Sequence, residues 1–356
     1  MKSPVFFFLL VALCNIQVLV AQTLGGNSSY PFLKLQPAPQ VAALGGINIS
    51  NMSDDPGFVF NNPAHLSAKM HSNLSTNFNS MYAGISHYSL LQAYTSPKIN
   101  THFALGIIYL NYGNTIEADA SGNILGSFRP TDFSVQLSAS RKYLTKWTYG
   151  ATLKFIRSNY GIARSSAIAA DVGVLYHDSA RFLQMSLVAS NMGSYLRPYV
   201  ANQTEELPFD VVFGISKKLE KAPIQFSFTA HHLHRFDILY EDTVFNNGIG
   251  AMNAPGKKFT LDKLFQHFVF STQIMMGKYI ELNAGYNFLR RRELRIYNVP
   301  SGLVGFSLGA GVIFPKLQIR YARTYLQNTT GYNQLGVNLP LNKYFGLGKW
   351  GEKIGW

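Results

Sequence analysis

The most regular feature of the chain is an alternation of apolar and polar side chains along short segments. In PIQFSFTAHHLH, residues 223 to 234, one set comprises Ile224, Phe226, Phe228, Ala230 and His232, and the other comprises Gln225, Ser227, Thr229 and His231. Successive side chains of a β-strand point to opposite faces, so this segment predicts a strand between an apolar and a polar environment. A soluble β-sandwich and a membrane barrel both provide such a pair of environments.

The same alternation recurs from residue 74 almost to the end of the chain. It predicts fourteen strands, at residues 74–81, 84–95, 101–111, 131–141, 147–158, 166–177, 181–192, 208–219, 223–234, 267–277, 279–289, 302–313, 315–325 and 331–340. Bacterial single-chain barrels of the outer membrane have an even number of such strands. The predicted fold class is therefore all-β, a 14-stranded antiparallel transmembrane β-barrel.

The lengths of the connections separate the barrel from the sandwich. From the second strand on, the joints SPKIN, KYLTK, HDSA, LEKAP, MGK and FPK are short, and each is followed one strand later by a usually longer joint. The longest joints are residues 112–130, 193–207 and 235–266. Outer-membrane barrels alternate short periplasmic turns with longer external loops, whereas a Greek-key sandwich follows no such rule. An integral outer-membrane location is predicted, with both termini periplasmic.

The charged residues within the strands avoid the apolar face. Lys154 and Asp171 both lie on the opposite face of their strands, and a lysine at the lipid midplane costs about 2–4 kcal/mol. In the strand at 302–313, the apolar face comprises Val304, Phe306, Leu308, Ala310 and Val312, and the other face comprises Gly305, Ser307, Gly309 and Gly311. Glycine in a strand marks a bend or a close backbone approach, so we expect another segment to pack against this inner wall.

Composition supports a membrane protein and weakens the case for a nucleic-acid-binding protein. The chain is 47% hydrophobic and only 14% charged, against about 25% charged residues in soluble domains. Its formal net charge of +13 and pI near 9.6 would suit a nucleic-acid partner. The basic residues form no tract or helical stripe, however, so no nucleic-acid partner is predicted.

The amino-terminal residues predict export. Lys2 precedes the apolar run VFFFLLVALCNIQVLVA, and Ala21 ends it at a cleavage-compatible position. A signal peptide at residues 1–21 would carry away Cys14, which is the single cysteine. No other run approaches the roughly 20 apolar residues of a spanning helix, so a membrane form of this protein must be built from strands.

The segment before the first strand has no strand period. Residues 22–73 are rich in Gly, Pro and Asn and carry Tyr30, Phe32, Leu33, Phe58 and Phe60. A periplasmic tail would leave these side chains exposed, whereas a plug inserted into the lumen would bury them. We therefore expect a signal peptide at 1–21, a hatch at 22–73, a barrel at 74–340 and a tail at 341–356.

Part of this segment resembles a known family. The residues are Gly25, Gly26, Tyr30, Phe32, Leu33, Leu35, the run Ala42-Ala43-Leu44-Gly45-Gly46, and Asn62-Pro63-Ala64. They resemble the mature start of PorQ proteins of the Bacteroidetes type IX secretion system, which are similar to PorV and to FadL-type transporters of hydrophobic compounds. The match covers about 45 residues, and Pro37-Ala38-Pro39-Gln40 departs from the family pattern.

The resemblance implies a non-enzymatic barrel with an N-terminal hatch and no cofactor. It assigns Gly45, Gly46, Asn62, Pro63 and Ala64 to that hatch. It also implies a role in the attachment complex that transfers secreted cargo to lipopolysaccharide, by anchoring a PorZ-like surface protein, with PorU and PorV as further members. The alternative function is a FadL-like passive channel for hydrophobic small molecules.

Two stretches at the external side are candidate contact sites. The loop 235–266 combines aromatic and charged residues and is the candidate dock for the partner, with Phe236, Tyr240, Glu241, Asp242, Phe245, Lys257 and Lys258 as its contact residues. The run FLRRRELR carries Arg290, Arg291, Arg292 and Arg295. Arginine pairs well with phosphate, so this run is a candidate contact for lipopolysaccharide or an acidic partner.

No catalytic or metal site is predicted. His231, His232 and His234 are of ligand type, but strand alternation places His231 and His232 on opposite faces unless the strand bulges. The acidic groups Glu205, Glu206, Asp210 and Asp237, Glu241, Asp242 lack the spacing of a calcium loop. The chain has no G-x-S-x-G motif for a serine nucleophile.

Overall fold

In a computed structural model, the protein is described over residues 28–200, 205–236, 238, 261–294, 302–326 and 331–346. The predicted signal peptide therefore lies outside the described residues. The strands are β1 Asn73–Ser80, β2 Ser86–Ser96, β3 Thr101–Asn111, β4 Thr115–Ala118, β5 Ile124–Phe128, β6 Thr131–Tyr143, β7 Trp147–Tyr160, β8 Ala163–Asp178, β9 Leu183–Arg197, β10 Asp210–Lys218, β11 Ile224–Ala230, β12 Phe268–Met276, β13 Ile280–Asn287, β14 Phe306–Ile313, β15 Gln318–Tyr325 and β16 Gly331–Pro340.

Fourteen of these strands, all within the described residues, form one closed antiparallel barrel. Each barrel strand pairs with its neighbour along the chain, and β1 closes the circuit on β16 with Asn73 opposite Pro340. Closure leaves no unpaired edge, which satisfies the backbone groups without water. The fold predicted from the alternation is confirmed.

The predicted strands correspond one to one to the barrel strands, but several bounds differ. The strand predicted at 223–234 ends at Ala230, and the one predicted at 302–313 begins only at Phe306. Val304, expected on the lipid face, is instead buried in a turn between Gly302 (φ 44°) and Gly305 (φ 91°). The loop 112–130 contains the hairpin β4–β5, which the sequence analysis missed.

The two faces of the strands have the predicted environments. Phe226 and Leu282 point outward and are 52% and 40% exposed, whereas Ser227 and Asn283 are buried on the lumen side. Lys154 and Asp171 also face the lumen, where their Nζ and Oδ2 atoms are 2.6 Å apart. An apolar exterior around a polar, ion-paired interior is the arrangement of a membrane-spanning barrel.

The two ends of the barrel differ in the length of their connections. The short turns lie at the same end as Asn73 and Pro340, which we call the turn end, and the longer connections lie at the loop end. Ser28 forms a bridge to Glu206 in the connection between β9 and β10, at the loop end. The first described residues therefore lie at the loop end, and both termini lie outside the described residues, so the predicted periplasmic position of the termini stays a prediction.

The described helices are short. They are Pro39–Ala43, Leu261–Phe265 and Phe288–Glu293, with single-turn 3-10 helices at Pro31–Lys34, Pro56–Phe60, Pro63–His65, Ala68–Met70, Tyr82–Gly84 and Leu341–Lys343. None of the described helices is long and apolar enough to cross a membrane. After β16 the tail folds back on the turn end, where Lys343 Nζ donates to the Pro315 carbonyl at 2.6 Å.

Candidate functional site: the lumenal segment and the loop end

Residues 28–72, here called the lumenal segment, run through the inside of the barrel. Near the loop end, the Tyr30 hydroxyl is hydrogen-bonded to Ser165 Oγ at the start of β8. Near the turn end, Ser140 Oγ of β6 donates to the Leu66 carbonyl at 2.9 Å. Since β1 begins at Asn73 at the turn end, the segment crosses the lumen from one end to the other.

Lumen-facing glycines of the wall allow the backbone of the lumenal segment to approach closely. A Cβ built on Gly285 of β13 would lie 2.1 Å from the Gly45 nitrogen, and one on Gly150 of β7 would lie 2.5 Å from the Pro63 carbonyl carbon. On the predicted glycine face of β14, a Cβ on Gly309 would lie 2.5 Å from Ala43 Cβ. A side chain at these wall positions would displace the segment. The segment can therefore pack against the wall only because these positions are glycine.

Local sequence fixes the shape of the segment at the residues assigned to the hatch. Gly45 and Gly46 follow the helix Pro39–Ala43 with φ of 90° and 87°, a conformation that glycine adopts without strain. Asn62 accepts a hydrogen bond from the Ala64 nitrogen at 2.9 Å, which caps the turn that begins at Pro63. Proline suits the first position of such a turn because its nitrogen has no hydrogen to satisfy.

The Asn62 side chain also ties the segment to the wall. Its Nδ2 donates to the Ile49 carbonyl at 2.9 Å and to Ser186 Oγ of β9 at 2.7 Å. His65 Nε2 shares the same Ile49 carbonyl at 2.9 Å. Asn62 is fully buried, so loss of these bonds would leave polar atoms without partners at a cost of about 1–3 kcal/mol.

A buried ionic cluster joins the segment to three strands near the turn end. Arg320 Nε of β15 lies 2.7 Å from Glu281 Oε1 of β13 and 3.4 Å from Asp55 Oδ2 of the segment. Asn338 Nδ2 of β16 donates to Asp55 Oδ1 at 2.9 Å, and all three charged side chains are 5% exposed or less. The sequence analysis missed this cluster, although Glu281 and Arg320 are isolated charges at lumen-facing strand positions.

The lumen has an apolar zone where β2, β3, β7 and β8 face the segment. The segment contributes Tyr30, Phe32, Val59, Phe60, Leu66 and Met70, and the wall contributes Leu91, Ala93, Ala104, Ile108, Leu110, Ile156, Ala167 and Ala169. Water-filled porins have a polar interior instead. These residues would offer apolar patches on the wall wherever the segment withdrew, while β6 between them lines the lumen with polar residues such as Ser134, Gln136 and Ser138.

The three described arginines of the predicted basic run are not gathered on one exposed surface. Arg290 turns inward, so that a Cβ on Gly46 would lie 2.3 Å from one of its guanidinium nitrogens. Arg291 donates to the Gly302 and Val304 carbonyls at 3.2 Å, and Arg292 lies 3.4 Å from Asp262. Arg295 lies outside the described residues.

The candidate dock for a partner, loop 235–266, is described only at its two ends, at residues 235, 236, 238 and 261–266. Phe236 is 42% exposed and its ring stacks on His267 with centroids 6.2 Å apart. The other residues assigned to this dock lie outside the described residues, namely Tyr240, Glu241, Asp242, Phe245, Lys257 and Lys258. The acidic residue Glu206 instead accepts a backbone hydrogen bond from Ser29 at 3.1 Å, which holds the start of the lumenal segment.

His231 and His232 lie on the same side of the chain, although strand alternation predicted that they point to opposite faces. β11 ends at Ala230, and His232 has φ 56° in the left-handed region. This kink turns both imidazoles to one side, where their Nδ1 atoms are 2.5 Å apart beside Asp210. A positive φ at a residue other than glycine could not be read from the alternation.

Comparison with solved structures identifies the fold. No family model matches the chain, and no curated relative was found for it. A TodX deltaS2S3 mutant monoaromatic hydrocarbon channel matches 85% of this chain and 96% of its own at 12% identity, with a TM-score of 0.50. The CymD monoaromatic hydrocarbon channel is 13% identical over 86% of this chain and 97% of its own, with a TM-score of 0.48. The Pseudomonas putida toluene transporter TodX is 10% identical over 85% and 96%, also at 0.48.

At this level of identity, the likeness to the TodX mutant concerns the fold. It agrees with the closed circuit of fourteen described strands and with the apolar exterior. The chain is therefore, over its described residues, a closed fourteen-stranded β-barrel with the fold of a hydrocarbon channel.

Proposed function

We propose that the protein is a passive outer-membrane channel for small hydrophobic molecules, in which the lumenal segment is the gate. The observation that carries this proposal is the apolar zone between the segment and strands β2, β3, β7 and β8. A permeant molecule that leaves water gains about 25 cal/mol for each Å² of apolar surface it buries. The fold shared with a hydrocarbon channel supports the same function.

The gate is tested by locking the segment to the wall. Ser50 Oγ of the segment and Ser216 Oγ of β10 are 2.9 Å apart and both residues are fully buried. The single cysteine of the sequence is Cys14 in the predicted signal peptide, so a Ser50→Cys/Ser216→Cys pair would have no competing thiol. When this pair is oxidised, we expect the entry of the fluorescent apolar probe N-phenylnaphthylamine into Gram-negative host cells to fall to that of cells with empty vector, and a reductant to restore it.

The wall supplies a matched control for this lock. Ser216 Oγ also donates to Ser227 Oγ of β11 at 2.7 Å, so a Ser216→Cys/Ser227→Cys pair joins two wall strands and leaves the segment free. Probe entry through this variant should match the wild type. Equal entry through the locked and control variants, with both disulfides formed, would show that the segment is not a gate.

A second candidate function is a membrane anchor for a surface partner, as the PorQ resemblance implies. Exposed apolar side chains at the loop end favour it, since Leu196, Leu233 and Phe236 are 57%, 48% and 42% exposed. Barrels hold the ends of such loops rigid while the loop sequence stays free to vary. In this function a PorZ-like protein binds the loop end, near lipopolysaccharide. The oxidised Ser50→Cys/Ser216→Cys barrel and the wild-type barrel would then both retain this partner.

Loop replacement tests the anchor function. Exchanging residues 241–258 for a short Gly/Ser linker should leave the barrel in the outer membrane and release the surface partner into the medium. The control is a Gly/Ser exchange of residues 119–123, at the tip of the β4–β5 hairpin on the same end. If the partner stays attached to cells after residues 241–258 are exchanged, this loop is not the docking site.

A further inference from the structure

Three side chains at the loop end bring their ligand-type atoms together. Asp210 begins β10, and His231 and His232 follow directly after β11, its partner strand. One ligand-type atom from each residue lies within 4.8 Å of those of the other two. We call these three residues the His–Asp cluster.

Hydrogen bonds to the backbone of both histidines hold the cluster in place. The His231 nitrogen donates to the His267 carbonyl at 2.9 Å, and His267 Nδ1 donates back to the His231 carbonyl at 2.8 Å. The His232 nitrogen donates to Asp210 Oδ1 at 2.6 Å. These bonds continue the β10–β11–β12 pairing by one residue and fix the left-handed kink at His232, so the two imidazoles are preorganised.

The two imidazoles contact each other directly. Their Nδ1 atoms are 2.5 Å apart, while His232 Nδ1 lies 3.6 Å from Asp210 Oδ2. One ring can donate Nδ1–H to the other, and a cation bound between the rings would take the place of that proton. The third member is a carboxylate, so the cluster presents three electron-pair donors to one point.

The two rings are also shielded from solvent. His231 is fully buried and His232 is partly buried. Histidine binds a metal through a ring nitrogen that carries a lone pair.

We propose that Asp210, His231 and His232 form a binding site for a divalent transition-metal ion of the zinc class at the loop end of the barrel. Zinc takes imidazole nitrogen at about 2.0–2.1 Å and carboxylate oxygen at about 2.0–2.2 Å. Ligand atoms of a tetrahedral site are then about 3.3 Å apart, so the imidazoles must separate slightly and the carboxylate must move inward. His234 Nδ1 lies 3.9 Å from Asp210 Oδ1 but is not one of the three residues whose ligand atoms lie close to one another, so water would complete the coordination.

A metal here would join two strands and the start of the longest connection. Asp210 belongs to β10, while His232 and His234 lie in the chain that leaves β11 toward residues 235–266.

The test uses the mature full-length protein, stripped with EDTA in detergent and titrated with Zn²⁺ by calorimetry and with Co²⁺ by visible absorption. We expect one ion per chain, with the d–d band intensity of a four- or five-coordinate cobalt site. Asp210→Asn and His231→Gln should each lower the affinity by at least about tenfold. Zn²⁺ should raise the Tm of the wild type and leave that of the two variants unchanged.

His177→Gln is the matched control, because His177 bonds to Gln184 at 3.0 Å near the turn end and lies apart from the cluster. Heat-modifiable migration on gels verifies that each variant is a folded barrel. Failure of the wild type to bind Zn²⁺ would overturn the proposal and leave a His231–His232 hydrogen bond in its place. An equal loss of affinity in His177→Gln would also overturn it, since the ions would then bind surface histidines without a common site.

Discussion

Replacing Leu153 with lysine is expected to lower the free energy of unfolding by about 2–4 kcal/mol. Leu153 lies near the middle of β7, is 65% exposed on the outer face, and is flanked by Leu137 of β6 and Ala170 of β8. A lysine at this depth must leave its charge in hydrocarbon or distort the bilayer around it. The measurement is denaturant unfolding of the barrel in phospholipid vesicles, together with the fraction that assembles in cells.

The turn between β7 and β8 offers a control for this substitution. Ile162 is 96% exposed there, and Ile162→Lys makes a similar exchange of an aliphatic residue outside the strands. Its unfolding free energy should stay within about 0.5 kcal/mol of the wild type. If Leu153→Lys were tolerated equally well, the outward face of β7 would not be in contact with lipid.

Replacing Arg320 with methionine is expected to destabilise the protein by about 3–5 kcal/mol. The substitution keeps an aliphatic chain but removes the only charge between Glu281 and Asp55 in the described cluster. Two buried carboxylates would then face each other, and one must bind a proton or the lumenal segment must leave its seat. Denaturant unfolding measures the loss, and limited proteolysis within residues 28–72 detects release of the segment.

A second substitution separates charge from packing in this cluster. In Arg320→Met/Glu281→Gln, one carboxylate has become neutral, and Gln40 and Gln273 can still bond to the new amide oxygen. The double variant should therefore be more stable than Arg320→Met alone. If the two variants unfold at the same denaturant concentration, the Arg320 effect comes from lost packing and the ionic explanation fails.

The structure changes which substitutions can serve as controls on the inner face. The polar face of their strands predicts that lysine at Ser227 or Asn283 impairs assembly far less than lysine at Phe226 or Leu282. Ser227 accepts a bond from Ser216, which in turn contacts Ser50 of the lumenal segment, so a lysine at Ser227 would meet packed protein. The polar face of a strand therefore predicts which side faces the lumen, but it does not predict whether the lumen is empty at that position.

The candidate site was only partly visible in the sequence. The bare glycine face of β14 pointed to a close approach, and Gly309 indeed meets Ala43. The Arg320–Glu281–Asp55 cluster escaped notice because its members are distant along the chain and each belongs to a different element. The His–Asp cluster could not be read from the alternation, because the backbone leaves the strand conformation at His232, where φ is 56°.

The sequence by itself determined the barrel, because the alternation of side chains is a local property that each strand carries in its own ten or so residues. The strand count, the outward faces of Phe226 and Leu282, and the lumenal position of Lys154 and Asp171 follow from it. Only the tertiary structure decided how the lumenal segment is seated in the barrel and where its first described residues lie. Those features depend on contacts between residues far apart in sequence, such as Gly45 with Gly285 and Ser28 with Glu206, and no local periodicity records them.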